Sequence, residues 1–597
     1  MPISEITLAR PQTSAPAIPP TSSPIPRRAF LLSLTTSGLL WLCYFPADCG
    51  WLMWVALVPL LTLVRSTARP RRIYLSAWIG GLAFYLAAIQ WMRVADPRMY
   101  FTWIGLAFYC SLYFPLTVWL IRFLDRRTCW PLVLTVPIVW TALELPRSTF
   151  GGGFAWYLLG HSQHAFLPLI QIADLTGAYG ISFLIAAVNA LLFEILWRAG
   201  GVSPLILSGT KNQGAYAPRS PKSSRIGLLV QGLAILAALT ATTIYGFWRL
   251  GQERQTPGPR IALIQGNLDQ RLRNASSVSE DAAKRMARHF HDLADLASSY
   301  RPDLIVWPET SWPYEWLEDA KGPKPGCREM AEDMAARWHS NLLVGMNGAR
   351  AGPDGHKRRY NSAILIDRHG KAAGRYDKIH RVPFGEYVPF RDWLPWMNYF
   401  APYDFDYSVW PGEQHTRMPL VDSATGRQLT FGVLICYEDT DAEVARPYGG
   451  GEPADFLLNI SNDGWFDGTS EHDQHLAICR FRAVECRRSV ARSVNMGISA
   501  VIDSNGRVLR PRELPRPDPH FDPNFHVWNV PMQRGGTVEL PVSQWHDYKK
   551  VAGVLLAAVP IDDRVSLYAH WGDWLPWSCW LILAGAFVLA WVRRGRQ

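Results

Sequence analysis

Two different rhythms of apolar residues divide this chain. In its first part they come in long runs, at about 29–45, 51–65, 74–92, 100–124, 129–145, 166–197 and 226–248, and one more run covers about 574–592. Several approach the ~20 residues a helix needs to cross a bilayer core. The pattern predicts eight spans, the first two short and the sixth beginning near 177 after a surface or re-entrant piece. From about 259 the runs are brief, at 261–264, 304–306, 342–344, 363–366, 434–435, 456–460 and 498–502, and polar segments of helical character such as 279–299 and 472–488 separate them. That alternation predicts a buried sheet flanked by helices. The expected fold class is therefore a multi-span α-helical membrane domain plus an α/β domain. The expected boundaries are a disordered tail over 1–26, rich in Pro, Ser and Thr, seven spans over 27–250, the α/β domain over 257–573, and a last span with a basic tail over 574–597. Within the α/β domain, about 511–550 is a Pro-rich, His-bearing insertion, expected as a surface excursion with no assigned role.

Charge sharpens this picture. The chain carries a formal net charge of +10 together with 27 Trp and 25 Phe. Nucleic acid is not the expected partner, because no basic stripe is interleaved with aromatics. Instead the Lys and Arg residues gather in every second connection between apolar runs: Arg27 and Arg28; Arg65, Arg69, Arg71 and Arg72; Arg126 and Arg127; Arg198, Lys211, Arg219, Lys222 and Arg225; and Arg593, Arg594 and Arg596. Cytoplasmic loops carry such an excess, so the α/β domain is expected outside the cytoplasm; Arg93 and Arg98 fall on the outer side and weaken the alternation slightly. Arg27-Arg28 before an apolar stretch also resembles a twin-arginine export signal. A first span is the preferred reading, since further spans follow at once and no small-residue cleavage site stands out. The nine cysteines form no CxxC pair and no zinc-like alternation with histidine, so neither a disulfide framework nor a structural metal is expected.

Three runs in the α/β domain end in reactive side chains. They are Asp303 to Thr310 (DLIVWPET), Tyr376-Asp377-Lys378 leading into VPFGEYVP at 382–389, and FGVLICYE at 431–438. Together they offer the carboxylate of Glu309, the ammonium of Lys378 and the thiol of Cys436. A thiol needs a base or a nearby cation to become the attacking thiolate, and attack on a carbonyl makes an oxyanion that a buried ammonium can stabilise. Singly, each residue has a plainer role: Cys436 as a small core hydrophobe, Glu309 as a helix cap, Lys378 as a surface charge.

With their flanks, the three runs resemble the nitrilase superfamily, and more narrowly its membrane-embedded branch, the apolipoprotein N-acyltransferases. The resemblance covers about 29–510 and 564–592. Its most specific pieces are PFGEYVP at 383–389, CYE at 436–438, Asn462-Asp463-Gly464-Trp465-Phe466 followed by His472, Gln474 and His475, and Leu567-Tyr568-Ala569 with Gly572-Asp573-Trp574 before the last span. The resemblance implies a nitrilase-like α-β-β-α sandwich, with Glu309 as general base, Lys378 as oxyanion-stabilising cation and Cys436 as nucleophile. It implies supporting roles for Glu386, Tyr437 and Glu438. It also implies a two-step transfer in which a phospholipid's acyl chain passes through a Cys436 thioester to the α-amino group of an apolipoprotein's N-terminal diacylglyceryl cysteine. No cofactor and no metal are called for; His472 and His475 lack a convincingly spaced third ligand. The expected setting is a bacterial inner membrane, with the catalytic domain on the periplasmic side and the chain acting as a monomer.

Two departures from the family pattern stand out. After Gln265-Gly266-Asn267-Leu268, Asp269 occupies the place of a proline and Asn274 that of a tryptophan; the other departure is the insertion at about 511–550. A membrane-tethered nitrilase-type amidase using the same triad ranks second, because eight spans would serve no purpose around a small-molecule hydrolase. A transporter or scaffold ranks third, since the apolar runs hold little charge beyond Glu144 and Glu194.

Overall fold

A computed structural model describes residues 25–199, 224–252, 254–319, 321–352, 355–401, 407–531 and 538–595. The tail expected over 1–26 lies almost wholly outside the described residues, as do Lys211, Arg219 and Lys222 of the basic connection. Four described helices are long and apolar enough to cross a membrane: Met99–Arg127, Ala178–Arg198, Arg225–Leu250 and Trp574–Val592. The other expected spans take different forms. The run at 51–65 breaks into the short helices Met53–Ala56 and Val58–Leu61 with 3-10 turns on either side, while 29–45 becomes the helix Ile25–Leu42 and 74–92 mostly the helix Pro70–Ala88. Met99–Arg127 is itself interrupted at Leu112. Pro115 lies one turn beyond Ser111 and has no N–H to offer its carbonyl, a recognised cause of a helix break.

Close packing needs small residues where helices cross. A Cβ on Gly80 would sit 2.7 Å from the Ser33 side chain, and Ser37 Oγ donates to the Gly80 carbonyl at 2.5 Å. The buried carboxylates that the apolar runs carry are held by specific donors. Arg65 makes two contacts with Glu194, at 3.1 and 2.5 Å. Glu144 accepts from the Leu159 amide at 2.9 Å and from Trp140 Nε1 at 3.1 Å.

From Thr256 the chain builds two sheets that face one another. Ten strands form the first, in which Thr256–Gln265 lies between Gly553–Ile561 and Leu304–Val306, followed by Asn341–Ala351. Five form the second, in which Gln428–Ile435 pairs in parallel with Phe456–Ser461, itself parallel to Val490–Val494. Alternate side chains of one strand enter different cores. Ile261 and Leu263 meet Phe431, Val433, Phe456 and Leu458 between the sheets. Ala262 and Ile264 instead meet Phe290 and Leu293 of the helix Glu280–Ser298. The helix Glu471–Cys486 covers the outer face of the second sheet. The order helix, sheet, sheet, helix is the expected α-β-β-α sandwich, and burial on both faces explains why its strands read as continuous apolar runs.

Part of the segment at 511–550 differs from the expected excursion. Its strand His526–Val530 runs parallel to Gly553–Ile561 and extends the first sheet. Trp528 and Val530 are apolar on the inner face and join the core between the sheets. Farther on, Trp545 is buried and stacks 5.9 Å from Phe45 of the helical part.

Sandwich and helical bundle share a core. Ile478, Phe481 and Val484 of the helix Glu471–Cys486 pack among the bundle's apolar residues, and Asp174 receives Arg487 Nε at 2.8 Å, Arg249 at 2.6 Å and Tyr245 OH at 2.8 Å.

Candidate active site

Three strand ends converge at the edge of the sandwich nearest the bundle. Leu304–Val306 leads to Glu309, Ala372–Asp377 to Lys378, and Gln428–Ile435 to Cys436. Rigid elements thus aim each of the three side chains. The turn carrying Glu309 lies flat on the neighbouring strand, because a Cβ at Gly345 would stand only 2.2 Å from the Pro308 carbonyl. Cys436 has a φ of 53°, a left-handed conformation uncommon for a residue with a side chain, as the strand turns abruptly into the 3-10 helix Cys436–Thr440.

Lys378 and Glu309 are buried. Lys378 Nζ lies 3.0 Å from Glu386 Oε1 and 3.6 Å from Glu309 Oε1. Burial alone would depress the ammonium, but the Glu386 and Glu309 carboxylates outweigh it and hold its pKa above the ordinary lysine value. Glu309 is fixed from two sides, by Asn361 Nδ2 at 2.7 Å and by the Asn462 amide at 3.0 Å. Asn361 also donates to Glu386 at 3.0 Å, so one amide spaces both carboxylates around the ammonium. Burial, and after it the Glu309 carboxylate, push the Cys436 thiol up to about 12 against the opposing pull of Lys378 and then His475.

The residues expected to support the site have distinct placements. Glu438 wires the strand ends together: it accepts from Tyr376 OH at 2.9 Å, from the amides of Ile379 at 2.7 Å and His380 at 3.0 Å, and from the Ile435 amide at 2.7 Å. Glu386 accepts the Val382 amide at 2.8 Å and so shapes its own loop. Tyr437 stacks on Trp156 at 6.2 Å and meets His380 edge-on at 5.2 Å, joining the sandwich to the bundle.

Cys436 opens onto a cavity of about 570 Å³, within the ~300–1,000 Å³ of small-molecule sites. Its walls are almost wholly apolar: Trp91, Met92, Phe101, Leu106, Phe150 and Phe154 come from the bundle, and Pro383, Phe384, Phe390, Trp396 and Phe400 from the loop after Lys378. Beside this cavity lies a buried ionic cluster. His475 has Nε2 2.6 Å from Asp439 and Nδ1 3.2 Å from Asp463 and 3.3 Å from Glu471, and Arg492 pairs with Asp439 and with Asp463. Both ring nitrogens face carboxylates, which only a doubly protonated imidazole can satisfy. Burial and Arg492 work against that charge, but Asp439 and Asp463 overcome them and hold the pKa of His475 well above the usual histidine value.

Asp463, Glu471 and His475 bring ligand atoms within 4.8 Å of one another. The set does not suit a metal, since Asp463 is already engaged by Ser461, His475 and Arg492 and both His475 nitrogens are committed. Sequence reasoning overlooked Asn361, Asp439 and Arg492. Asp439 stands directly after the CYE motif and Arg492 lies in the middle of a strand, a buried charge whose partners only the fold brings near. The departures at Asp269 and Asn274 have local roles: Asp269 caps the helix Gln270–Ala275 through the Arg271 amide at 2.7 Å. Asn274 accepts from Gln270 at 2.8 Å. Arg273 between them donates to the Thr310 carbonyl at 3.2 Å and pins this helix to the Glu309 turn.

Comparison with known proteins follows the same two-part division. Residues 36–191 match the family described as apolipoprotein N-acyltransferase N-terminal domain, and residues 260–514 match carbon-nitrogen hydrolase. Among curated relatives, the apolipoprotein N-acyltransferase of Geobacter metallireducens is 32% identical over 95% of both chains. That of Pseudomonas putida is 31% identical over 80% of this chain and 87% of its own. The one from Chlorobaculum tepidum is 26% identical over 90% of this chain and 91% of its own.

Proposed function

The chain belongs to the apolipoprotein N-acyltransferase family, and from that premise we propose that it moves an acyl chain from a phospholipid, by way of a thioester on Cys436, to the α-amino group of a lipoprotein's N-terminal diacylglyceryl cysteine. Glu309 takes the Cys436 proton, and the thiolate attacks the phospholipid ester carbonyl. Lys378 faces the oxyanion that forms; its collapse breaks the ester C–O bond, and the lysophospholipid leaves with the proton from Glu309. The amine then attacks the thioester carbonyl, the C–N bond forms as the C–S bond breaks, and the excess amine proton passes to the site's carboxylate base. The observation that carries this reading is the apolar cavity of about 570 Å³ with Cys436 at its wall, since an acyl chain needs apolar enclosure and a small amide does not. Both substrates are anchored in lipid, so a site between bundle and sandwich meets them at high local concentration. The alternating basic connections support a sandwich on the periplasmic side of a bacterial inner membrane.

The test is direct. Purified protein incubated with acyl-labelled phospholipid is expected to carry a hydroxylamine-sensitive label, lost in Cys436→Ala. A label retained by Cys436→Ala overturns the nucleophile assignment, and a labelled enzyme that passes its acyl group only to water supports an amidase-like hydrolase instead.

A further inference from the structure

Glu471 opens the helix Glu471–Cys486 and stands in the wall of the cavity that Cys436 also lines. It is only 2% exposed. Its Oε1 lies 3.3 Å from His475 Nδ1, while its Oε2 is buried with no hydrogen-bond partner. A buried carboxylate oxygen left unpaired is costly and calls for an explanation. The surrounding charges supply one. Asp439, Asp463 and Glu471 contribute three carboxylates, and His475 and Arg492 two cations. His472 donates from Nε2 to the Asp463 carbonyl at 3.0 Å. Counted with Glu471 ionised, the cluster holds three negative and two positive charges, and Glu471 is the member with an unpaired oxygen that also lines the cavity wall.

We propose that Glu471 is the recognition carboxylate for a substrate ammonium group, either the α-amine of the acceptor lipoprotein or the ethanolamine of a phospholipid head group. The assignment rests on the reading that this cavity receives acyl donor and acceptor. A metal ion would need several free ligand atoms, whereas an ammonium group, with three N–H donors, gains both a hydrogen bond and an opposite charge from a single unpaired carboxylate oxygen. Burial, followed by the Asp463 charge, raises the pKa of Glu471 above the usual carboxylate range, and a carboxylate penalised in that way gains most when a cation arrives. Cys436, with its acyl group, and the ammonium-binding carboxylate then share one chamber, which would hold the amine near the thioester.

The experiment uses full-length Cys436→Ala protein in detergent, so that binding is read without chemistry. A fluorescent diacylglyceryl-cysteine peptide is titrated alongside its des-amino analogue, which lacks only the ammonium group. The free amine is expected to bind at least tenfold more tightly, and adding Glu471→Gln should reduce that ratio to near one. The ratio is internal to each protein, so a loss of folded fraction does not imitate the effect. In a second arm, phosphatidylethanolamine and phosphatidylglycerol compete for the cavity. A preference for phosphatidylethanolamine that vanishes in Glu471→Gln assigns the carboxylate to the donor's head group. If Glu471→Gln leaves both ratios unchanged, or chelator abolishes them in the Cys436→Ala protein, the assignment is overturned. Failure of thioester formation in the labelling test would instead strike the acyl-transfer reading and leave these binding ratios standing.

Discussion

Glu386 Oε1 lies 3.0 Å from Lys378 Nζ, nearer than the 3.6 Å that separates Lys378 from Glu309. The residue that clamps the ammonium is thus distinct from the proposed base, and Glu309 stays available to the thiol. Glu386→Gln keeps the shape but removes that charge, which lets Lys378 close on Glu309 and compete for its lone pairs. Thioester formation is expected to fall by about 10²–10³, the range seen when one preorganised electrostatic partner is lost, while the protein remains folded. Single-turnover labelling with acyl-labelled phospholipid measures it, and a wild-type rate would remove Glu386 from the site.

Cys436 and Glu309 make a prediction in which reactivity and turnover move in opposite directions. With burial and the Glu309 charge raising the thiol to about 12, the resting enzyme should alkylate slowly at pH 7 and faster with each unit of rising pH. Glu309→Gln removes one of the charges that raise it, so its thiol titrates lower and alkylates faster at pH 8. Acyl transfer by the same variant should be lost, because the proposed base is gone. Iodoacetamide labelling followed by mass spectrometry of the Cys436 peptide reads the first effect; slower alkylation in Glu309→Gln would contradict the electrostatic account.

How much of the fold and site is legible in the sequence depends on how local each signal is. The runs 304–306 and 434–435 are buried on both faces and read as strands, so Glu309 and Cys436 at their ends were legible. Val490–Val494 does not stand out as an apolar run because Arg492 and Ser493 interrupt it, and both find partners only through the fold: Ser493 Oγ donates to the Ile264 carbonyl at 2.8 Å across the two sheets. Asn361 gave no signal at all, since an asparagine in a strand acquires its meaning from the two carboxylates brought to it. The run at 51–65 reads as one continuous helix, whereas the chain there alternates short helical and 3-10 turns, with the Leu57 amide donating to Asn189 at 2.9 Å.

Asp174 is a lock between bundle and sandwich. It binds Arg487, Arg249 and Tyr245 at once and is 1% exposed. Asp174→Asn leaves two buried guanidinium groups without their counter-charge, a change that typically costs about 3–5 kcal/mol. Thermal unfolding in detergent should begin earlier, and the helix Arg225–Leu250 should become more sensitive to protease at its Gly251 end. An unchanged unfolding midpoint would show that the neutral acceptors of Arg487, namely Gln171, the Ser504 carbonyl and Asn505, hold the contact without the charge.

His475 predicts a pH dependence of stability. Its pKa is raised in the folded protein, so its contribution is fully present below the unfolded value of ~6.5 and is lost as pH rises through the folded value. The stability advantage of the native protein over His475→Gln should therefore be largest near pH 6 and shrink toward pH 9. Unfolding midpoints of both proteins across that range test it, and a gap that widens with pH would mean the ring is neutral in the fold.

The loop after Lys378 presents Trp393 and Tyr399 at 86% exposure each, with Phe390 at 56% and Trp396 at 52%. Aromatic side chains left in water lose the gain of burial, while Trp and Tyr favour the interface of a bilayer, where a ring is buried and its polar edge stays wet. Phe390 and Trp396 also line the cavity of Cys436, so the same loop reaches from an exposed aromatic surface to the candidate nucleophile. Phe400 packs 5.5 Å from Phe101 of the helix Met99–Ser111, which anchors the loop to the bundle at its far end. Replacing Trp393 and Tyr399 together by Ser should leave folding intact, because neither is in the core. Acyl transfer from phospholipid in a bilayer is expected to fall at least tenfold, while transfer from the same phospholipid dispersed in detergent changes less than twofold. Equal loss in both settings would mean that the loop shapes the cavity and does not gather substrate from the membrane.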